Sequence, residues 1–554
     1  MNLKLAPICV HHSLSQVRFT ICQRMHHALE IQEILLNIFG HCYLSYRQRE
    51  TSVLAGLART CRAFKEPALD ALWRELVDLS PLAQCLPEAS IHYKISQGIK
   101  VRWFQAFASL CLVVNIFLPT KCYSFSRPLT EIEWGVLRSY TRRTRSILGY
   151  NRHGRFDLES VKIFLNPPTA EPLFPNLCYL NCDSATEAVH LLYLPLPSLI
   201  SLSVALVPKN LHVFQDSLQS ISKFSPNIKR LCIRMRQPDA TLSNSFSGYI
   251  CQWQNLQTVV CPQVSLDADA LVHLSRMPAL TQLNFMLSAT LRDQTAPSDP
   301  PLFFSNLHEM TLRSETLDPI SRLLSRIRLP AITDFTTLID RRPSRQDVTS
   351  FLTSIQTSGV SNTIQSLQFI QRASLPSTTH DVLRLGLEDL LPCMAFSNLR
   401  RLNFDIEWLV GLKDNELLVL ASAWPQLESL YINKGWGWNW SRGGGITPDG
   451  LLQLLHTCRS LSQIALAIDT QGYTNLPPHG SSASLGLTLP PTFYIDVLDS
   501  IIEAESMPAI TAFFAGIAPC AWNCWLASES SDEEYTNRWI DVFGRANEAV
   551  REHY

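Results

Sequence analysis

Pro197-Ser198-Leu199-Ile200-Ser201-Leu202 is a turn residue followed by apolar-x-x-apolar, and the chain writes nearly the same phrase many times. Close copies are Pro175-Asn176-Leu177-Cys178-Tyr179-Leu180, Pro226-Asn227-Ile228-Lys229-Arg230-Leu231 and Pro278-Ala279-Leu280-Thr281-Gln282-Leu283. Two more are Ser397-Asn398-Leu399-Arg400-Arg401-Leu402 and Pro425-Gln426-Leu427-Glu428-Ser429-Leu430. Looser copies are anchored at Leu256, Leu307, Ile332, Ile364 and Leu461, making eleven. The second and third apolar anchors stand two residues apart, as in Leu402 and Phe404. A period of two predicts a short strand with one buried face. Pro precedes six of the eleven anchors. That suits the first residue of a strand, where no ladder hydrogen bond is yet required.

Between these strands the spacing turns helical. Leu211, Phe214, Leu218 and Ile221 fall on one helix face. So do Ile320, Leu323, Leu324 and Ile327, and Phe351, Leu352 and Ile355. Thr447 is placed to cap a helix whose first turn holds Pro448. Successive first anchors lie 22 to 35 residues apart, overlapping the roughly 20–29 residues of leucine-rich repeats, with insertions. Neither the strand nor the helix buries its apolar face alone, so neighbouring units must stack. The expected fold class is α/β, a leucine-rich-repeat solenoid or horseshoe, preceded by a small helical domain. Such arrays usually present a binding surface rather than an active site.

Composition narrows the function further. The 554 residues carry a net charge of −1, with no basic surplus for nucleic acid. Sixteen Cys are scattered without a Cys-x-x-Cys, and no metal site is expected. Free thiols and the lack of a secretory pattern at the start favour cytoplasm or nucleus. The most apolar run, Trp103–Pro119, holds Gln105, Ser109 and Asn115. It falls short of the roughly 20 residues of a membrane span, so no membrane partner is expected. No Gly-x-Ser-x-Gly, His-Glu-x-x-His or Gly-x-x-x-x-Gly-Lys is present. Catalytic residues and cofactors are therefore expected to be none.

The front of the chain reads as three short helices. Ile31, Ile34, Leu35, Ile38 and Phe39 make one apolar face. Leu54, Leu57, Ala58 and Cys61 make a second. Pro67 is read as opening the third, with Leu69, Leu72, Trp73 and Leu76 as its apolar positions. Leu29-Glu30-Ile31-Gln32-Glu33-Ile34-Leu35 and Cys61-Arg62-Ala63-Phe64, with the closing Leu72-Trp73, resemble an F-box. Gln32 stands where that family usually has Pro. The remainder, including Trp134-Gly135-Val136-Leu137 and Gly435-Trp436-Gly437-Trp438, is similar to fungal F-box proteins with irregular leucine-rich repeats.

The resemblance implies a non-enzymatic substrate receptor of a Skp–cullin–F-box ubiquitin ligase. Its partners would be a Skp-type adaptor, a cullin through that adaptor, and a protein target. The implied adaptor contacts are Ile31, Ile34, Leu35, Ile38, Phe39, Leu57, Cys61, Phe64 and Trp73. Target contacts are expected on the open strand face and a nearby loop, at Tyr179, Arg230, Arg234, Arg401, Tyr431, Trp436 and Trp438. The alternative is a leucine-rich-repeat scaffold with no ubiquitin role, its front helices sealing the stack. The expected domains are a disordered extension over 1–24, the F-box-like helices over 25–80, and a helical connecting segment over 81–150 with its apolar run at 91–123. The solenoid follows over 151–527, then an acidic loop and final helix over 528–554.

Overall fold

The computed structural model describes residues 31–41, 51–103, 114–149, 154–182, 187–287, 301–360, 363–372, 383–438, 445–474, 493–517 and 533–553. The chain divides into two units, Met1–Glu75 and Leu76–Tyr554. The expected extension over 1–24 lies outside the described residues.

Among its described residues the first unit has three helices: α1 (Gln32–His41), α2 (Thr51–Thr60) and α3 (Arg62–Trp73). Leu35, Phe39, Leu54, Ala68 and Ala71 form its core, with Leu57, Ala58, Phe64 and Leu72 packed around them. Pro67 does not open the third helix, as its sequence context suggested. It lies buried inside α3, five residues after Arg62. It has no N–H to give the Ala63 carbonyl, so one intrahelical bond is missing. Packing of Ala68 and Ala71 holds the helix across that gap.

In the second unit the eleven phrases become parallel strands of one sheet, in chain order. Leu180, Leu202, Leu231, Val259 and Leu283 are successive register partners, and Met310, Phe335, Leu367, Leu402, Leu430 and Ile464 continue the row. The strand Ser146–Ile147 pairs before them and Tyr494–Asp496 after them. Every first anchor from Leu177 to Leu461 is buried, as is every second anchor in the row. Fully burying one such side chain contributes roughly 1.5–3 kcal/mol. Repeated in one register, that is what holds the coils together.

The prolines occupy a different place from the one expected. The strands begin two residues after the first anchor, at Tyr179, Ser201, Arg230 and Gln282. Each Pro is instead the second residue of a tight turn. Leu177 N–H donates to the Phe174 carbonyl (3.4 Å), Leu199 to Leu196 (3.1 Å) and Leu427 to Trp424 (3.1 Å). Pro presets φ for that second turn position. The residue opening the turn is buried too, as at Phe174, Leu196, Trp253, Phe396 and Trp424. The indole of Trp253 donates to the Ser225 carbonyl (3.1 Å) and that of Trp424 to the Cys393 carbonyl (3.1 Å), each reaching the previous coil.

Helices return the chain between strands. Pro208–Phe224 buries Phe214, Leu218 and Ile221; Asp318–Arg326 buries Ile320, Leu323 and Leu324; Arg345–Thr357 buries Phe351, Leu352 and Ile355. Thr447 Oγ1 caps Pro448–Thr457 by accepting from Gly450 N–H (3.2 Å). At the far end, Met507–Ile517 and Glu533–His553 close together over Phe513, Phe514, Trp539 and Phe543. Residues 528–532 of the expected acidic loop lie outside the described residues, and Glu534 is already helical.

The connecting segment is not helical throughout. Ile91–Trp103 and Val114–Phe125 pair antiparallel, and Gly154–Phe156 pairs with the second strand. Among the described residues there, only Glu131–Thr141 is a longer helix. The register slips between Ser96 and Ile99, opposite Pro119, which has no N–H for a regular ladder. Residues 104–113 of the apolar run lie outside the described residues. Next to the paired ends Ile91 and Phe125 a clasp forms around Glu133. Its carboxylate takes two bonds from Arg127 (2.9 Å each), one from Thr130 N–H (2.8 Å), one from Thr130 Oγ1 (2.9 Å) and one from Ser90 Oγ.

Candidate protein-binding surfaces

The nine apolar positions expected to meet an adaptor divide into two kinds. Leu35 is 2% exposed and Phe39 3%, both inside the three-helix core. They hold the domain together and are not free to touch a partner, which corrects their assignment as contact residues. Ile31 is 46% exposed and Ile38 43%. Ile34, Leu57, Cys61, Phe64 and Trp73 are half-buried. On α1, Ile34 and Ile38 lie about one turn apart, on the stripe beside that of Leu35 and Phe39. Leu36 and Val53 are also exposed, and helical spacing gave no reason to single them out. Ile31 immediately precedes α1, where its carbonyl accepts from Leu35 N–H (3.1 Å). Gln32 is then the first helical residue, a position whose N–H has no intrahelical partner. Pro or Gln serves there, so the departure at this position leaves the helix intact.

Residues 32–78 match the F-box-like family. They form an F-box-like domain.

The chain is also similar to solved leucine-rich-repeat structures. An internalin (InlF) of Listeria monocytogenes aligns at 12% identity over 53% of this chain and 75% of that one, with a TM-score of 0.27. The leucine-rich repeat-containing protein LegL7 of Legionella pneumophila aligns at 13% over 62% and 91%, with a TM-score of 0.26. The Rad7 and Elc1 complex of yeast aligns at 13% over 46% and 75%, with a TM-score of 0.23. No curated protein matches the chain. The leucine-rich-repeat reading rests on the strand register rather than on these likenesses.

The open face of the sheet carries the residues that alternate with the buried anchors. Tyr179, Arg230 and Arg234 are exposed at its early strands. Arg230 Nη2 donates to Tyr179 Oη (3.2 Å) with its guanidinium 5.4 Å from that ring, and Arg234 Nη2 lies 3.4 Å from Ser203 Oγ. Arg401 reaches over the intervening strand to Asp334 (2.9 Å), so its charge is already matched. Tyr431 is half-buried and donates to Gln463 Oε1 (2.5 Å).

The loop with the tryptophans is built inward. Trp438 is 2% exposed and its indole donates to the Ile432 carbonyl (2.8 Å). It is a plug, and its expected role as a target contact is corrected; Trp436 is half-buried. Asn433, at φ 53°, is buried and ties Ile406 N–H and the Trp408 carbonyl to this loop. Asp405 accepts from Gly435 N–H (3.0 Å), where a Cβ would come within 2.8 Å of Asp405 Oδ2. Lys434 lies over both Tyr431 (4.8 Å) and Tyr494 (5.2 Å). Burial pushes the Asp405 and Asp496 carboxyls up from the ordinary carboxylate value, while backbone N–H groups and Lys434 pull back. No sequence pattern pointed to Lys434 or Asp496.

Among the described residues no cluster of three His, Cys, Asp or Glu could hold a metal ion. None of their helices is long and apolar enough to cross a membrane.

Proposed function

We propose that this chain is the non-catalytic substrate-recognition subunit of a Skp–cullin–F-box-type ubiquitin ligase. The F-box-like domain docks on a Skp-type adaptor, and through it on a cullin. The repeats hold a protein target. The chain then acts by proximity, keeping the target within reach of a conjugating enzyme carried by its partners. It contributes no nucleophile or general base of its own. The ten free cysteines of the described residues suit the reducing cytoplasm or nucleus.

The observation that carries this reading is the F-box-like domain's leftover apolar surface. The domain closes its own core with Leu35, Phe39, Leu54, Ala68 and Ala71, yet leaves Ile31, Leu36, Ile38 and Val53 exposed. An end cap for the stack would have no use for them. They are 36–46% exposed, so covering the exposed part of each by a partner would contribute on the order of 1 kcal/mol.

The experiment is co-expression of the full chain with a tagged Skp-type adaptor, followed by purification on the tag. Stoichiometric copurification supports the receptor reading. A folded chain that never travels with the adaptor removes it and leaves the scaffold.

A further inference from the structure

We propose that the open face over the strand Ser201–Leu206 takes an extended acidic segment of a partner protein, through carboxylates four residues apart that pair with Arg230 and Arg234. The inference rests on the target-binding reading above and adds the chemistry of the bound segment.

The strand Arg230–Met235 turns Leu231 and Ile233 into the core, and Arg230, Cys232 and Arg234 to the open face. Both arginines are exposed. Arg230 crosses the neighbouring strand to reach Tyr179, because Tyr179 and Arg230 both pair with Ser201 from opposite sides. Arg234 leans the same way, toward Ser203. Two guanidinium groups thus reach toward or across one strand. The open-face residues of that strand are Ser201, Ser203 and Ala205, all small. The result is a trough with a low hydroxyl-lined floor, flanked by Tyr179 and the two arginines.

Charge distinguishes this trough from the rest of the face. Arg313 is paired with Asp340 (3.0 Å) and Arg401 with Asp334 (2.9 Å). Among the described residues no carboxylate pairs with Arg230 or Arg234; their recorded partners are a phenol and a hydroxyl. A guanidinium fork matches a carboxylate with two parallel bonds, so the charge calls for an anionic guest. Spacing selects which anion. The Cα atoms of positions four apart on a strand are separated by about 13 Å, and the two side chains rise from those points to different partners, Arg230 to Tyr179 and Arg234 to Ser203. They offer two sites along the strand rather than one. An extended peptide lying along the strand has the same rise, and offers two carboxylates at the same separation.

The test uses the full-length chain and fluorescence anisotropy at low salt. The probes are labelled Gly/Ser peptides. One carries two Glu four residues apart, one carries Gln at both places, one carries two adjacent Glu, and one carries a single phosphoserine. The spaced-Glu peptide is expected to bind best. The R230Q/R234Q double variant is expected to weaken it by about tenfold or more, with a shallower salt dependence. Arg400→Gln, which alters a charge already paired with Glu428 (2.7 Å), is expected to leave the affinity unchanged. An unchanged melting temperature will show that the double variant is folded.

Equal affinity in the double variant would overturn the inference, as would equal binding of the Gln peptide or binding of the phosphoserine peptide alone. Adaptor copurification measured on the same preparations separates the two readings. Adaptor binding without peptide binding sinks this inference only. Arg-dependent peptide binding without the adaptor sinks the ligase role and leaves the docking site.

Discussion

Phe39 and Phe64 meet edge to face inside the F-box-like domain, ring centroids 5.4 Å apart and planes at 81°. That contact ties α1 to α3 and marks which apolar residues of the domain are structural. Phe39→Ala should open a core cavity and destabilise the domain by about 3–5 kcal/mol. For three short helices this is most of the available stability. Limited proteolysis should then cut within residues 31–75 while the repeats stay protected. Ile38→Ser, at an exposed position on the same helix, should leave the digestion pattern unchanged.

Thr337 sits in a row of large apolar side chains. Its register partners are Leu312 on one side and Phe369 on the other. It is buried and its hydroxyl has no hydrogen-bond partner. Thr337→Val keeps the shape and removes the unsatisfied group, so it should raise stability by about 1 kcal/mol. A urea midpoint that falls instead would mean that the hydroxyl is satisfied in solution.

Gly450 lies in the first turn of the helix Pro448–Thr457, against Asp414. The Asp414 carboxylate accepts from Thr447 N–H (2.9 Å) and Thr447 Oγ1 (2.6 Å), joining one coil to the next. A methyl group at residue 450 would overlap that carboxylate. Gly450→Ala gains up to about 1 kcal/mol of helix propensity but forces the clasp open, at roughly 1–3 kcal/mol. Net destabilisation is expected, and Asp414→Ala in the same chain should remove most of the added penalty. A more stable Gly450→Ala single variant would contradict the packing described.

The Glu133 clasp makes stability depend on pH. Bonds from Arg127, then Ser90 and Thr130, hold its carboxyl down at about 2 against the opposing effect of burial. Its ordinary value is 4.5. The depressed value means that the stabilisation is present in full above about 4.5 and is lost as pH falls toward 2. The urea midpoint of the wild type should exceed that of Glu133→Gln at neutral pH. That difference should shrink steadily between pH 5 and pH 3. A gap that stays constant across this range would rule the ionised clasp out.

The sheet was legible because a strand in a stack needs an apolar residue at every second position, and Leu180 and Cys182 already show it. The buried residue opening each turn was not legible. Phe174, Ser225, Met277, Trp424 and Cys458 share a place but no chemistry. In α1 the error had a geometric cause. Adjacent helical stripes are close in angle, so Ile34 and Ile38 blur into Leu35 and Phe39 when only spacing is read. Trp438 misled for another reason: a tryptophan in a glycine-rich loop reads the same whether it plugs the core or greets a partner. The antiparallel pair Ile91–Trp103 and Val114–Phe125 escaped because the long apolar run it belongs to has no clean period to tell strand from helix. Lys434 and Asp496 come together from strands and loops some sixty residues apart in sequence, which no local pattern encodes.

The most direct measurement is adaptor capture by the full chain with a single surface change. Wild type should copurify with a Skp-type adaptor, and Ile38→Asp should lose it, with both chains showing the same thermal unfolding. Retained capture by Ile38→Asp, or no capture by folded wild type, would contradict the claim that the F-box-like domain keeps its outer apolar residues for a partner.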